Sequence, residues 1–79
     1  MNLREDLLDV VKLLVDEPEA VRIEEIEDHD SIRFELEVAS DDLGKVIGRQ
    51  GRTVRALRVL LDSKGDRDGE HYRLEILDD

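Results

Sequence analysis

The chain has 79 residues, with 12 lysines and arginines against 22 aspartates and glutamates and a formal net charge of −10. A chain of this length predicts one small domain over residues 1–79, and no stretch approaches the ~20 consecutive apolar residues of a membrane span. The sequence has no cysteine, which excludes disulfides and thiolate metal sites and agrees with a reducing, cytoplasmic location.

The chain begins with a predicted amphipathic helix over residues 2–15. Asn2 is the predicted N-cap, and Glu5 stands three residues later in the position of a capping box. Pro18 ends the helix because proline cannot continue its hydrogen bonding. Five apolar residues recur at helical spacing and predict a stripe buried in the core: Leu3, Leu7, Val10, Val11 and Leu14.

Two strands follow and predict a hairpin with one face exposed to water. In the first, residues 20–27, the alternation of polar and apolar residues slips at Glu25 and Ile26, which predicts a bulge or an early end. In the second, residues 31–39, the alternation is strict. His29 lies between two aspartates in the intervening turn, but no second ligand cluster accompanies it, so we expect a solvated turn and no metal site.

The second half of the chain predicts a helix, a glycine turn, a longer helix and a last strand. Ser40 is the predicted N-cap of the short helix that precedes the turn at residues 48–51. The longer helix is predicted to end near residue 63, before a polar loop over residues 63–70 and a strand over residues 71–77. Its apolar side is expected to face the core through Val54, Leu57 and Leu61. Helices and strands in this order predict the α+β class.

The charges are segregated along the chain. Residues 44–61 hold five basic residues and no acidic one, whereas the rest of the chain holds 7 basic against 22 acidic residues. The acidic total argues against a nucleic-acid partner, because affinity for phosphates depends on lysine and arginine. Salt nevertheless screens charges over ~8 Å, so a local basic patch can attract phosphates with some independence of the distant acidic residues. This basic island consists of Lys45, Arg49, Arg52, Arg55 and Arg58.

Two glycines three residues apart, Gly48 and Gly51, lie inside the basic island. The turn that contains them leads into a helix N-terminus, whose free N–H groups and dipole favour an anion. Glycine has no Cβ, so a phosphate backbone can come close. The same pair could be an ordinary helix-ending glycine followed by a helix-starting one. The surrounding positive charge favours phosphate binding.

Other functional classes find less support in the sequence. There is neither a P-loop nor a dinucleotide-binding fingerprint, and a helix-turn-helix is not expected between alternating strands. Only Phe34 and Tyr72 are aromatic, and both are predicted to lie in the core, which leaves no platform for stacked bases. Paired carboxylates are inevitable among 22 acids, and no base or nucleophile accompanies them, so we do not expect an enzyme.

The sequence Ile47-Gly48-Arg49-Gln50-Gly51-Arg52, between a short and a longer helix, resembles the G-X-X-G signature of a KH domain. The predicted order α-β-β-α-α-β is that of the type II, prokaryotic KH fold, with a three-stranded sheet and helices packed on one face. Residues 14–23 and, more specifically, 44–51 are similar to the small single-domain bacterial RNA-binding proteins of the KhpA type.

This resemblance implies a groove that clamps about four nucleotides of single-stranded RNA. An apolar residue of the strand at 31–39 would complete the groove floor beside Val46, Ile47 and Val54. Taken with the basic island, the resemblance gives these candidate RNA-binding residues: Lys45, Val46, Ile47, Gly48, Arg49, Gln50, Gly51, Arg52, Val54 and Arg55.

The resemblance also implies partners and a cellular role. Members of this kind form homodimers or pair with a larger KH protein of the KhpB (Jag) type, in some bacteria with links to cell elongation, division and shape. The implied role is that of an RNA chaperone or post-transcriptional regulator that uses no cofactor, membrane or small-molecule substrate. The alternative is a protein-interaction module with little RNA affinity, which would explain the acidity and would use Val59, an apolar residue among the arginines, as a dimer contact.

Overall fold

The computed structural model describes residues 2–78 and shows three helices and three strands in the predicted order. The helices are α1 (Leu3–Leu14), α2 (Leu43–Ile47) and α3 (Arg52–Asp68), and the strands are β1 (Arg22–Glu27), β2 (Ile32–Glu37) and β3 (Tyr72–Ile76). Short 3-10 turns lie at Pro18–Ala20, Ser40–Asp42 and Arg49–Gly51. The prediction of an α+β chain with the order α-β-β-α-α-β is therefore confirmed. Within the described residues, no helix is long and apolar enough to cross a membrane.

The sheet has the strand order β1-β2-β3, with β1 and β2 antiparallel and β2 and β3 parallel. Every residue of β1 from Arg22 to Glu27 has a partner in β2. The predicted bulge or early end at Glu25 and Ile26 is therefore wrong. The strand stays regular because Glu25, which pairs with the buried Phe34, lies on an edge strand where its side chain is exposed.

The core lies between the helices and one face of the sheet. The strict alternation predicted for residues 31–39 is confirmed, since Phe34, Leu36 and Val38 are all buried. The other buried apolar residues are Leu7, Val11, Val21, Ile23, Val46, Val54, Leu57, Leu61 and Leu74. Tyr72 is half-buried, with its ring 5.9 Å from that of Phe34.

The apolar stripe predicted for α1 is only partly correct. Asn2 caps the helix as predicted, its side chain accepting a hydrogen bond from the Glu5 N–H at 3.2 Å. Leu7 and Val11 are buried, but Val10 is 42% exposed. Leu14 is also exposed, at 36%, whereas Leu3 is half-buried and packs against the core.

Helix α3 extends to Asp68, five residues beyond its predicted end. Gly65 is buried, and a Cβ there would lie 2.5 Å from the carbonyl oxygen of Glu70, so glycine lets the chain return closely over the helix. The last turn is also held by an ion pair between Lys64 and Asp68 at 3.1 Å and by a 2.7 Å hydrogen bond that the Tyr72 hydroxyl donates to Asp68. The hydrogen bond to Asp68, with some burial, raises the pKa of Tyr72 to about 12.

Candidate nucleic-acid interface

The glycine loop, residues 48–51, joins α2 to α3 in a conformation that needs glycine. Gly48 has φ +79° and ψ 167°, a region that is essentially restricted to glycine. Gly51 (φ +73°) and Gln50 (φ +57°) are both left-handed. The Gly51 N–H donates to the Gly48 carbonyl at 3.0 Å, which closes the turn. The predicted glycine turn between two helices is therefore confirmed.

The two glycines of the loop have different surroundings. A Cβ at Gly48 would lie 2.3 Å from Oγ1 of Thr53 and 2.7 Å from its backbone nitrogen, whereas a Cβ at Gly51 would meet nothing within 4 Å. Gly48 thus lets the loop pack directly on the first turn of α3. The open side at Gly51 leaves the loop accessible to a ligand.

The N-terminus of α3 is suited to an anion. No side chain caps this 17-residue helix, and its first turn contains no acidic residue. The first N–H groups of a helix lack partners within the helix, and its dipole favours negative charge at that end. The glycine loop therefore presents an uncapped helix N-terminus.

The five arginines and lysines of the basic island do not all remain free. Lys45 lies 3.2 Å from Asp16 and 3.4 Å from Asp42, and its hydrogen bond with Asp16 is the main reason that its pKa is raised above 10.5. The Arg55 guanidinium donates to the Gln50 carbonyl at 2.7 Å and so braces the loop. Arg58 donates to the Leu74 carbonyl at 3.2 Å.

Arg49 and Arg52 are the two arginines of the basic island left for a ligand. Both side chains are exposed, and neither makes a hydrogen bond or ion pair with another residue of the 2–78 range. Both flank the uncapped start of α3. Within the basic island, the free positive charge is therefore concentrated at the glycine loop.

A groove of about 600 Å³ adjoins the loop between the α2–α3 pair and strand β3. Ile47 and Val54 line it as predicted, but Val46 is fully buried and supports it from below. Its apolar strand residues are Leu74 and Ile76 of β3, so the predicted contribution of an apolar residue from the strand at 31–39 is wrong. Strand β3 is the sheet edge that contacts α3, and β2 reaches the groove only through Arg33.

Asp42 is a structural residue that sequence reasoning missed. Its buried carboxylate accepts hydrogen bonds from the backbone N–H groups of Asp16 at 3.2 Å and Glu17 at 3.0 Å. It thereby ties the exit of α1 to the start of α2. The prediction of Ser40 as a side-chain N-cap is wrong, since Ser40 begins a 3-10 turn and caps nothing. No local pattern could reveal Asp42, because its partners lie some 25 residues away in the chain.

The hydrogen bonds of Asp42 make stability depend on pH. Burial alone would raise the pKa of Asp42, but the N–H groups of Asp16 and Glu17, together with Lys45, outweigh burial and lower the pKa below 3.8. A lowered pKa in the folded state contributes stability that is fully present above pH 3.8 and is lost as the pH falls through the folded value.

We therefore expect Asp42→Asn to lower the melting temperature by roughly 10 °C at neutral pH and by much less at an acidic pH below the folded-state pKa of Asp42. Asparagine has one neutral amide oxygen in place of two charged oxygens, so it cannot accept the hydrogen bonds of both N–H groups in the same way. Acid removes the same charge from the wild type, which reduces the difference between the two proteins. Thermal denaturation followed by circular dichroism measures both values, with Asp41→Asn as the exposed neighbouring control. An equal loss at both pH values would contradict this role of the Asp42 charge.

Known proteins match the chain over most of its length. A family model described as the KhpA/KhpB KH domain matches residues 4–76. A protein of Chlamydia trachomatis serovar D named "RNA-binding protein KhpA" is 44% identical over 77 residues, which cover 98% of this chain and 99% of the relative. A relative of the same name from Listeria monocytogenes serovar 1/2a is 41% identical over 76 residues, which cover 96% of this chain and 100% of the relative.

A third relative of that name, from Caldanaerobacter subterraneus subsp. tengcongensis, is 44% identical over 68 residues, which cover 86% of this chain and 91% of the relative. No solved structure matches the chain. The resemblance inferred from the glycine loop and the element order is thus confirmed by relatives that align well beyond the loop. The chain belongs to the KhpA/KhpB family of KH domains.

Proposed function

We propose that this chain is a single KH domain that binds single-stranded RNA, clamping about four nucleotides between the glycine loop and the adjoining groove. The observation that carries the proposal is the position of Arg49 and Arg52. They are the two arginines of the basic island that have no partner within residues 2–78, in a chain that is otherwise acidic. Both flank an uncapped helix N-terminus. The name "RNA-binding protein KhpA", borne by three relatives at 41–44% identity, supports it.

The candidate residues take different parts in this proposal. Gly51, whose side is open, lets the sugar-phosphate backbone approach the N–H groups of α3, while Gly48 lets the loop pack on the first turn of that helix. Arg49 and Arg52 neutralise the phosphates. The apolar wall of the groove, which includes Ile47 and Val54, receives the bases. Four further residues support the site: Gln50 and Arg55 hold the loop conformation through their hydrogen bond, Lys45 braces α2, and Val46 fills the core beneath.

We expect binding to be micromolar or weaker and strongly dependent on salt. Neutralising three or four phosphates gives a slope of about −2 to −3 in a plot of log K against log salt for single strands. Fluorescence anisotropy with a labelled oligouridylate across a range of salt concentrations measures this slope. A slope near zero, or no binding at low salt, would contradict the clamp.

The proposal places the protein in the cytoplasm as an RNA chaperone or post-transcriptional regulator. It includes no enzymatic step, because recognition through charge and apolar contact needs no chemistry. The lack of cysteine is consistent with a reducing compartment.

We further propose that the chain works as a homodimer or with a larger KH protein of the KhpB type. Large apolar side chains stand on its surface: Leu13 is 86% exposed, Leu60 64% and Val59 61%. Such residues support a protein contact in addition to RNA binding, because exposed apolar surface often marks a protein-protein interface. Light scattering of the protein alone and mixed with such a partner tests the pairing, and a monomer mass in both cases would contradict it.

A further inference from the structure

The groove at the glycine loop is one end of a longer depression, here called the trough, that runs between α3 and the outer edge of β3. A second part, of about 320 Å³, shares Arg58, Arg73 and Leu74 with the groove. A third part, of about 510 Å³, shares Asp62, His71 and Tyr72 with the second. The site proposed for RNA therefore has open space beyond it in the direction of the α3 C-terminus.

The charge of the trough changes sign along its length. The part beside the loop is lined by Arg33, Arg58 and Arg73, and one of its two carboxylates, that of Glu75, lies 3.5 Å from the Arg33 guanidinium. The far part has no lysine or arginine in its lining, and its charged groups are the carboxylates of Asp62, Asp66 and Glu70. Within residues 2–78, none of these three carboxylates has a hydrogen bond or ion pair to neutralise it.

Arg58 stands where the sign changes. Its guanidinium reaches from α3 across the trough to the Leu74 carbonyl on the edge of β3, at 3.2 Å. This hydrogen bond holds the side chain at the junction of the first two parts. A planar guanidinium loses little conformational freedom when it forms such a bond. Arg58 is thus a barrier in shape and, with Arg73, one of the last two positive charges before the acidic part.

We propose that bound RNA occupies only the part of the trough between the glycine loop and Arg58, and that Asp62, Asp66 and Glu70 end the site by repelling the next phosphates. This inference rests on the proposed RNA binding and adds a limit to its length. Helix α3 has 17 residues and is about 25 Å long at 1.5 Å per residue. Repulsion screened over ~8 Å therefore acts on nucleotides that enter the acidic part but hardly on those held at the loop.

The test compares RNA lengths rather than a single affinity. Anisotropy is measured with oligouridylates of four and twelve nucleotides on the wild type and on the variant Asp62→Asn/Asp66→Asn/Glu70→Gln. A control variant, Asp9→Asn/Glu19→Gln/Glu24→Gln, makes the same change of net charge at exposed residues outside the trough. Circular dichroism establishes that all three proteins are folded.

We expect the trough variant to bind the twelve-nucleotide RNA roughly tenfold more tightly than the control variant does, because two or three further phosphates can then enter. The two variants should bind the four-nucleotide RNA within about twofold of each other, since that RNA does not reach the acidic part. The longer RNA offers more binding positions and has room for a second protomer. Both effects are the same for two variants of equal net charge, so they cancel when the affinities of these variants are compared.

If the ratio between the affinities for the twelve- and four-nucleotide RNAs is the same in both variants, the length limit is overturned and the clamp remains intact. Wild-type protein that binds neither RNA would overturn the clamp and the length limit together. The two failures are therefore distinguishable in one experiment.

Discussion

Replacing Gly48 with alanine is expected to lower the free energy of unfolding by roughly 3 kcal/mol, whereas the same change at Gly51 should cost about 1 kcal/mol. Both residues have positive φ, so both variants strain the backbone. Only at Gly48 would the new methyl group also collide with Thr53, at 2.3 Å from Oγ1 and 2.7 Å from the backbone nitrogen. The loop and the first turn of α3 would have to separate to admit it.

Urea denaturation of the two variants and the wild type measures the difference. For a domain of this size, each kcal/mol shifts the melting temperature by roughly 4–8 °C, so Gly48→Ala should melt at least ~12 °C below the wild type. Gly51→Ala is the matched control, because it makes the same substitution three residues away in open space. Equal destabilisation of the two variants would show that the contact between Gly48 and Thr53 is not close in solution.

This difference between the glycines decides how the RNA clamp should be tested. An acidic residue at Gly48 would add charge at the loop but would also displace α3, so a loss of binding could not be assigned to charge. Arg49 and Arg52 are exposed and unpaired within residues 2–78. Their replacement changes the charge of the loop and leaves its backbone free of new contacts.

The order of the elements and the glycine turn could be predicted because both are written locally in the sequence. The strict alternation of residues 31–39 has period two, and the apolar positions of the helices follow period 3.6. Glycines in positions that require φ > 0 mark the turn between α2 and α3. The resemblance to the KH family rests on this segment, on residues 14–23 and on the order of the elements, all of which are local features of the sequence.

What the sequence could not predict depends on contacts between distant segments. The run from Ser63 to Asp68 is polar and contains a glycine, which predicts a loop. In the fold this run is helical, and Gly65 lets Glu70 pass close to the helix. The role of Asp42 depends on N–H groups of another segment. The apolar strand residues of the groove belong to β3 and not to the predicted strand, because strand order in the sheet is not a local property of the sequence.

The basic island shows the same limit for the site itself. Counting charges along the sequence gives five equivalent cations, but the fold commits Lys45, Arg55 and Arg58 to carboxylates or backbone carbonyls. The sequence predicts a candidate site in this island, and the fold leaves two of the five cations, Arg49 and Arg52, unpaired within residues 2–78. Replacement of these two arginines therefore tests RNA binding at the loop.

Arg49→Glu/Arg52→Glu should weaken binding of short single-stranded RNA at least ~100-fold at low salt. Each charge-assisted hydrogen bond to phosphate contributes ~1.5 kcal/mol or more, and the new carboxylates add repulsion. Losing two phosphate contacts should also reduce the salt slope by about 1.4 in magnitude. The matched control, Lys12→Glu/Arg22→Glu, makes the same change of net charge at exposed residues on α1 and β1 and should lose no more than about threefold.

The measurement that tests the clamp most directly is therefore the anisotropy of one labelled oligouridylate titrated with these two variants and the wild type, after circular dichroism has shown all three to be folded. The clamp predicts that the loop variant alone loses its affinity and part of its salt dependence. A folded loop variant that binds as tightly as the wild type, or a control variant that loses as much as the loop variant, would contradict it.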